Sequence, residues 1–336
     1  MSDFAYLCGM VDGICGRAGR MSCSWGLKLR ATGLSAWLAV GILAGGASGQ
    51  AQVKTQYQMI SPGHLQDLID AGLPEEEVEY YFDQPTALLN MGANGKGLTS
   101  EQVARVHKAY PHASIGLLLN SFGTNTLTGA PGLEAVLTKG PLPQGMTYIQ
   151  YDPEGPHNGT PPAETAALEA GDTSYAVKAA TLAHAHGLKF IFTPSIDAGM
   201  TKAESHYPEK YRSWLKQGRG AWAAVPGVDI YSIQSQQSEG TTVFAEFVKA
   251  AVEQARRAAP HTAVDIGIGI NPHSPPTVIA TGDLIDAYAA GQAAGVDGYW
   301  HNVEVGVNAD QPVTVYVEYF KQIYANAMAA ASDELP

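Results

Sequence analysis

The chain has 336 residues, 32 acidic against 20 basic, for a formal net charge of −12. That balance disfavours nucleic acid and anionic membrane surfaces, which select basic proteins, and leaves a neutral substrate such as a sugar open. The three cysteines, Cys8, Cys15 and Cys23, all lie near the start. The rest of the chain therefore has no disulfide, no thiolate metal site and no cysteine nucleophile.

Residues 1–51 read as a leader. Lys28 and Arg30 give a positive start, Leu34 to Leu43 a short apolar run, and Ala47, Gly49 and Ala51 small residues for cleavage. This is the secretory pattern, with an apolar run too short to span a bilayer. Met21 is an alternative start. The expected location is secreted, extracellular or periplasmic, with no membrane attachment after the leader is removed. Residues 52–336 then form one domain, close to the roughly 250 residues of a (β/α)8 barrel.

Ser61-Pro62 opens a helix that runs through Asp70, with serine as N-cap and proline in the first turn. An acidic run from Glu75 to Glu79 follows. Strands are then expected at Ser114–Asn120, Thr147–Asp152, Leu188–Thr193, Val228–Gln234, Val264–Ile270 and Val296–His301. Helices are expected at Ser100–Ala109, Ser174–His186, Pro208–Ala223, Thr241–Ala259, Thr281–Ala294 and Val313–Ala330. Strands that alternate with helices of this length form parallel βαβ units. The remaining strands must come from the weaker N-terminal part, at Gln56–Ile60 or Thr86–Asn90. The fold class is α/β, a (β/α)8 TIM-like barrel, with an irregular or incomplete N-terminal strand left open. No strand is followed by a Gly-rich phosphate loop, which argues against an open dinucleotide-binding sheet.

Side chains alternate along a strand. Val264, Ile266, Ile268 and Ile270 share one face, so Asp265, Gly267, Gly269 and Asn271 face the interior. By the same rule Tyr148, Gln150 and Asp152 oppose Ile149 and Tyr151, and Thr193 opposes Phe192. Ser232, Gln234 and Gln236 oppose Tyr231 and Ile233, while Gly116, Leu118 and Asn120 oppose Leu117 and Leu119. Several strands thus end in inward polar groups, which are costly to bury unpaired. A polar pocket at the C-terminal mouth, where barrels carry their chemistry, accounts for them.

Within that pocket Asp152 and Glu154 stand two apart at a strand end. Neighbouring carboxylates repel, so one keeps its proton and can act as a general acid. Glu304, after Tyr299-Trp300-His301-Asn302, supplies a second carboxylate, with Asp197 in reserve. Gln150, Gln234, Gln236, Asn271, Asn302 and Asn120 suit hydroxyl binding, because each amide both donates and accepts. Trp300 offers a platform for a sugar ring. Glu239 reads as the first-turn acid of the next helix. His184-x-His186 lies at the barrel bottom and reads as helix capping, so no metal or other cofactor is expected. No Arg or Lys stands at a strand end, which argues against a phosphate substrate. Asn158-Gly-Thr160 fits a glycosylation sequon.

The segment Tyr151-Asp152-Pro153-Glu154 resembles the D-x-E strand end of the chitinase-like glycosidase barrels. The resemblance implies that Glu154 is the acid and that Asp152 orients the substrate. Where that family has further aspartates earlier on the strand, Tyr148 and Gln150 stand here. The chain is also similar to secreted bacterial barrels with the same Y-D-P-E element, which implies a fold and no activity. The expected function is a secreted glycoside hydrolase using Glu154, Asp152 and Glu304 on a poly- or oligosaccharide. The alternatives are another barrel enzyme (a lyase, cyclase or phosphodiesterase) or a non-catalytic carbohydrate-binding barrel. The expected partner is a small-molecule or carbohydrate substrate, and the sequence leaves the oligomeric state open.

Overall fold

The computed structural model describes residues 56–92, 98–197, 200, 208–269, 279–303 and 311–333. The leader assigned to residues 1–51 and the site candidates Asn271 and Glu304 lie outside the described residues.

Eight parallel strands close into one barrel in sequence order. They are β1 (Tyr57–Ile60), β2 (Ala87–Gly92), β3 (Ser114–Leu119) and β4 (Met146–Tyr151), then β5 (Lys189–Phe192), β6 (Ile230–Ile233), β7 (Ala263–Ile268) and β8 (Gly298–His301). Both weak N-terminal segments are strands. β1 pairs with β8 through Met59 opposite Trp300, which completes the ring. The fold is a (β/α)8 barrel with a regular first strand.

The Ser61 hydroxyl accepts the His64 N–H at 3.1 Å and starts the helix Pro62–Asp70. Thr99 and Gln102 form a capping box ahead of the helix Ser100–Ala109. The acidic run opens a helix. Glu75, Glu76 and Glu77 occupy the first turn of Glu75–Phe82, where the helix dipole favours negative charge. Val78, Tyr81 and Phe82 form its buried stripe. The expected helix over 208–223 is broken. Gly218 takes φ 67, and the chain passes from the helix Glu209–Lys216 into a 3-10 stretch at Arg219–Ala224. Short helices at Leu133–Thr138 and Pro162–Glu169 escape sequence periodicity because they are too short to show it.

The alternation assigned from sequence matches the packing. Ile149, Tyr151, Phe190, Phe192, Tyr231, Ile233, Val264, Ile266 and Ile268 pack outward in the main core under the helices. Inside the barrel, Met59, Leu88, Tyr148, Ile191, Ile230 and Trp300 form a separate apolar plug. Burying each such side chain stabilises by about 1.5–3 kcal/mol. Gly116 makes room for the plug: a Cβ there would lie 2.3 Å from Tyr148 Cε2. Towards the strands' C-terminal ends the interior turns polar, with Asn90, Gln150, Thr193, Gln234 and Asp152 all buried.

Candidate active site at the barrel mouth

The buried polar residues above the plug pair with one another, as their desolvation demands. Asn90 Nδ2 donates to Gln150 Oε1 at 3.2 Å, and Gln150 Nε2 donates to Thr193 Oγ1 at 2.9 Å. Gln234 Nε2 donates to Asp152 Oδ1 at 2.8 Å. The other end of that amide is held in turn, since Gln234 Oε1 accepts the Ile196 N–H at 3.4 Å. Two hydrogen-bonded sets thus line the mouth, one joining the ends of β2, β4 and β5 and the other joining the ends of β4 and β6.

Asp152 follows β4 directly, and its N–H closes the ladder to Leu119 O at 2.9 Å. The turn beyond it is shaped to present Glu154. Gly155 takes φ 92, in the region that favours glycine. Thr160 Oγ1 accepts the N–H groups of Glu154 and Gly155, each at 3.1 Å, and donates to Asn120 O at 2.7 Å. Asn158, in a 3-10 turn, donates to Glu154 Oε2. The sequon reading of Asn158 missed this role, because only the turn brings residue 158 back onto residue 154. Glu164 accepts Tyr151 Oη at 2.7 Å and the N–H groups of Phe122 and Gly123 at 2.8 and 2.7 Å. It ties the strand end before Asp152 to the loop after β3.

Asp152 is buried, whereas Glu154 is partly exposed. Burial pushes the Asp152 carboxyl well above its usual range, and the neighbouring Glu154 charge adds to this. Burial also pushes Glu154 up to about 7; Asp197 opposes its ionisation, while hydrogen bonds from Asn158, Gln234 and Asp152 favour it. The two carboxyls interact and titrate as a pair, with Asp152 holding its proton more strongly than Glu154. Asp197 is partly exposed and accepts Ser195 Oγ at 2.5 Å. Asp152, Glu154, Asp197, Gln150 and Gln234 thus assemble as the sequence suggested. Asn120 joins them through its carbonyl.

Gln236 and Asn302 meet elsewhere, over β7. A Cβ on Gly267 would lie 2.2 Å from Gln236 Oε1 and 3.7 Å from Asn302 Nδ2, so a side chain there would push the Gln236 amide aside. Neither amide atom has a hydrogen-bond partner among the described residues. One is an acceptor and the other a donor, as a hydroxyl would need. Trp300 lies two residues deeper on β8, in the plug, and is 7% exposed.

Two residues depart from the sequence reading. Glu239 is not a solvated first-turn acid: the helix starts later, at Phe244, and Glu239 is buried. Its Oε1 accepts the Gly269 N–H at 2.6 Å, and burial pushes its carboxyl up to about 8. The mouth also holds a cation. Lys210, on the helix Glu209–Lys216, donates from Nζ to Gln237 Oε1 at 2.6 Å and feels the charges of Asp197 and Glu239. Strand alternation could not find it, because it arrives on a helix. At the barrel bottom, His184 and His186 turn to separate partners, Asp229 Oδ2 at 2.8 Å and Leu137 O at 2.6 Å. Among the described residues no group of three or more His, Cys, Asp or Glu side chains is placed to hold a metal ion.

No family model and no curated protein sequence matches the chain. Among solved structures, the carboxyl transferase domain from Rhizobium etli pyruvate carboxylase with pyruvate is similar at 13% identity and a TM-score of 0.43, over 75% of this chain and 40% of that one. QR15, an aldolase, is similar at 10% identity and a TM-score of 0.43, over 82% of this chain and 97% of that one. The chain spans 40% of the length of the carboxyl transferase domains it is matched with. Both likenesses are to the barrel alone.

Proposed function

We propose that this barrel is a secreted acid–base enzyme that cleaves a glycosidic bond in a hydroxylated, uncharged substrate held at the C-terminal mouth. One observation carries the reading: a carboxyl pair at the mouth in which partly exposed Glu154 is pushed up to about 7 beside buried Asp152, whose carboxyl is pushed up as well. A group near 7 is present in both protonation states at neutral pH, which is what a general acid that must later act as base requires. Glu154 gives its proton to the leaving oxygen. Asp152, fixed by Gln234, stabilises the carboxylate that results. The role of Glu154 as the acid is the one that the resemblance to chitinase-like barrels implies.

Asp152 and Glu154 are hydrogen-bonded to each other, so they cannot flank a scissile bond. Retaining carboxylates stand about 5–5.5 Å apart and inverting ones about 6.5–9.5 Å. The opposing carboxylate is therefore another residue. Asp197 fits this role, since it acts on Glu154 by charge without bonding to it. Gln236 and Asn302 offer an unused acceptor and donor for substrate hydroxyls. The test is a panel of polysaccharides and aryl glycosides with wild type and Glu154→Gln. Turnover that Glu154→Gln abolishes, with folding intact, supports the reading. Turnover that survives the substitution, or none from a folded wild type across the panel, refutes it.

A further inference from the structure

The turn that holds Glu154 is itself held from a neighbouring loop. Asn158, which donates to Glu154 Oε2, has both ends of its backbone fixed. Its N–H donates to Gly155 O at 3.1 Å, and its carbonyl accepts Asn125 Nδ2 at 3.2 Å across 33 residues. Asn125 lies in the loop between β3 and the helix Leu133–Thr138. Its amide is used at both ends. Oδ1 accepts the N–H groups of Leu127 and Thr128, each at 3.0 Å, which closes an Asx turn within its own loop. Nδ2 reaches out of that loop to the turn after β4.

Docking the loop does not require that outward bond. Glu164 already holds its start through the N–H groups of Phe122 and Gly123. Thr126 donates its N–H and its hydroxyl to Gly159 O, at 2.9 and 3.3 Å. Gly159 is fitted to the amide as well: it is buried, takes φ 86, and a Cβ on it would overlap the Asn125 amide. Glycine meets both demands, because it has no Cβ and tolerates positive φ. Glu154 interacts with Asp152, Asp197, Gln234 and Asn158. Asp152 and Gln234 directly follow β4 and β6, so the sheet places them. Asn158 sits in a short 3-10 turn, whose hydrogen bonds are poorer, and its aim depends on support from outside.

We propose that Asn125 is a positioning residue for the acid: by holding the Asn158 carbonyl it keeps the Asn158 amide aimed at Glu154. The loops after β3 and β4 then act as one unit, and a change in the first reaches the carboxyl in the second. The catalytic meaning of this coupling rests on the reading of Glu154 as the acid, whereas the coupling itself does not.

Asn125→Ser keeps a side-chain oxygen for the turn and has no amide to reach Asn158. A carbon-13 titration of the glutamate carboxyls follows Glu154 in wild type, Asn125→Ser, Asn158→Ala and the double variant, with circular dichroism confirming the fold of each. A hydrogen bond to a charged group is worth about 1–2 pH units when fully lost, so loosening it in Asn125→Ser should raise the Glu154 midpoint by about 0.5 unit or more. In Asn158→Ala the same substitution should add nothing, because the amide through which it acts is gone. No shift from Asn125→Ser in a folded protein overturns the inference, and so does an equal shift with and without the Asn158 side chain. A wild-type Glu154 midpoint in the ordinary carboxylate range defeats the acid reading and leaves this coupling to be judged by the shift between variants, so the two fail separately.

Discussion

Replacing Asp265 with asparagine should make the barrel's stability markedly less dependent on pH. Asp265 lies on the inward face of β7 and is 1% exposed; neither carboxyl oxygen has a hydrogen-bond partner among the described residues. Burial pushes the carboxyl from its ordinary 3.8 up to about 7. The unfolded chain therefore releases this proton near 3.8, while the folded chain keeps it until about 7. The folded state binds more protons between these values, so the stability held below 3.8 is lost as pH rises through 7. A gap of about 3 pH units at about 1.36 kcal/mol each gives about 4 kcal/mol. Asparagine keeps the shape and does not titrate. In urea unfolding followed by circular dichroism, Asp265→Asn should gain about 4 kcal/mol relative to wild type between pH 4 and pH 8. The other raised carboxyls are common to both proteins and cancel in the difference. A difference that stays flat across this range would show that Asp265 is ionised or solvated in the fold, and would refute the reasoning.

Gly116→Ala should destabilise by about 1–3 kcal/mol or more in the same assay, because its Cβ would fall on the Tyr148 ring. Unchanged stability would mean that the ring is free to move aside. Asn158→Ala removes a donor that favours ionised Glu154. The pH at which activity is lost with rising pH should therefore move upward, and a downward move or none would contradict this. The linkage argument applies to Glu239 as well: its carboxyl is pushed up to about 8, so Glu239→Gln should lose less stability than wild type as pH rises from 5 to 9.

The barrel was legible in the sequence because its strands keep period two and its helices keep their length. Val264, Ile266 and Ile268 on one face left Asp265 and Gly267 no place but the interior. Alternation fixes a direction and not a depth. Trp300 and Asn302 share the inward face of β8. Trp300 falls level with Met59 in the plug, and Asn302 emerges past the strand end. Glu239 stands where a helix-capping acid would stand. Only the closing of its loop on Gly269 buries it, and that contact spans 30 residues. Lys210 and Asn158 escaped for a related reason: a helix and a 3-10 turn bring them to the mouth, and strand alternation reads neither.

The most direct test of the central claim is a carbon-13 NMR titration of the glutamate side-chain carboxyls in wild type, Glu154→Gln and Asp152→Asn. The account predicts a resonance with a midpoint near 7 that disappears in Glu154→Gln and shifts in Asp152→Asn, the mark of a coupled pair. If Glu154 titrates in the ordinary carboxylate range and ignores Asp152→Asn, the two carboxyls are not coupled and the proposed acid–base site does not exist.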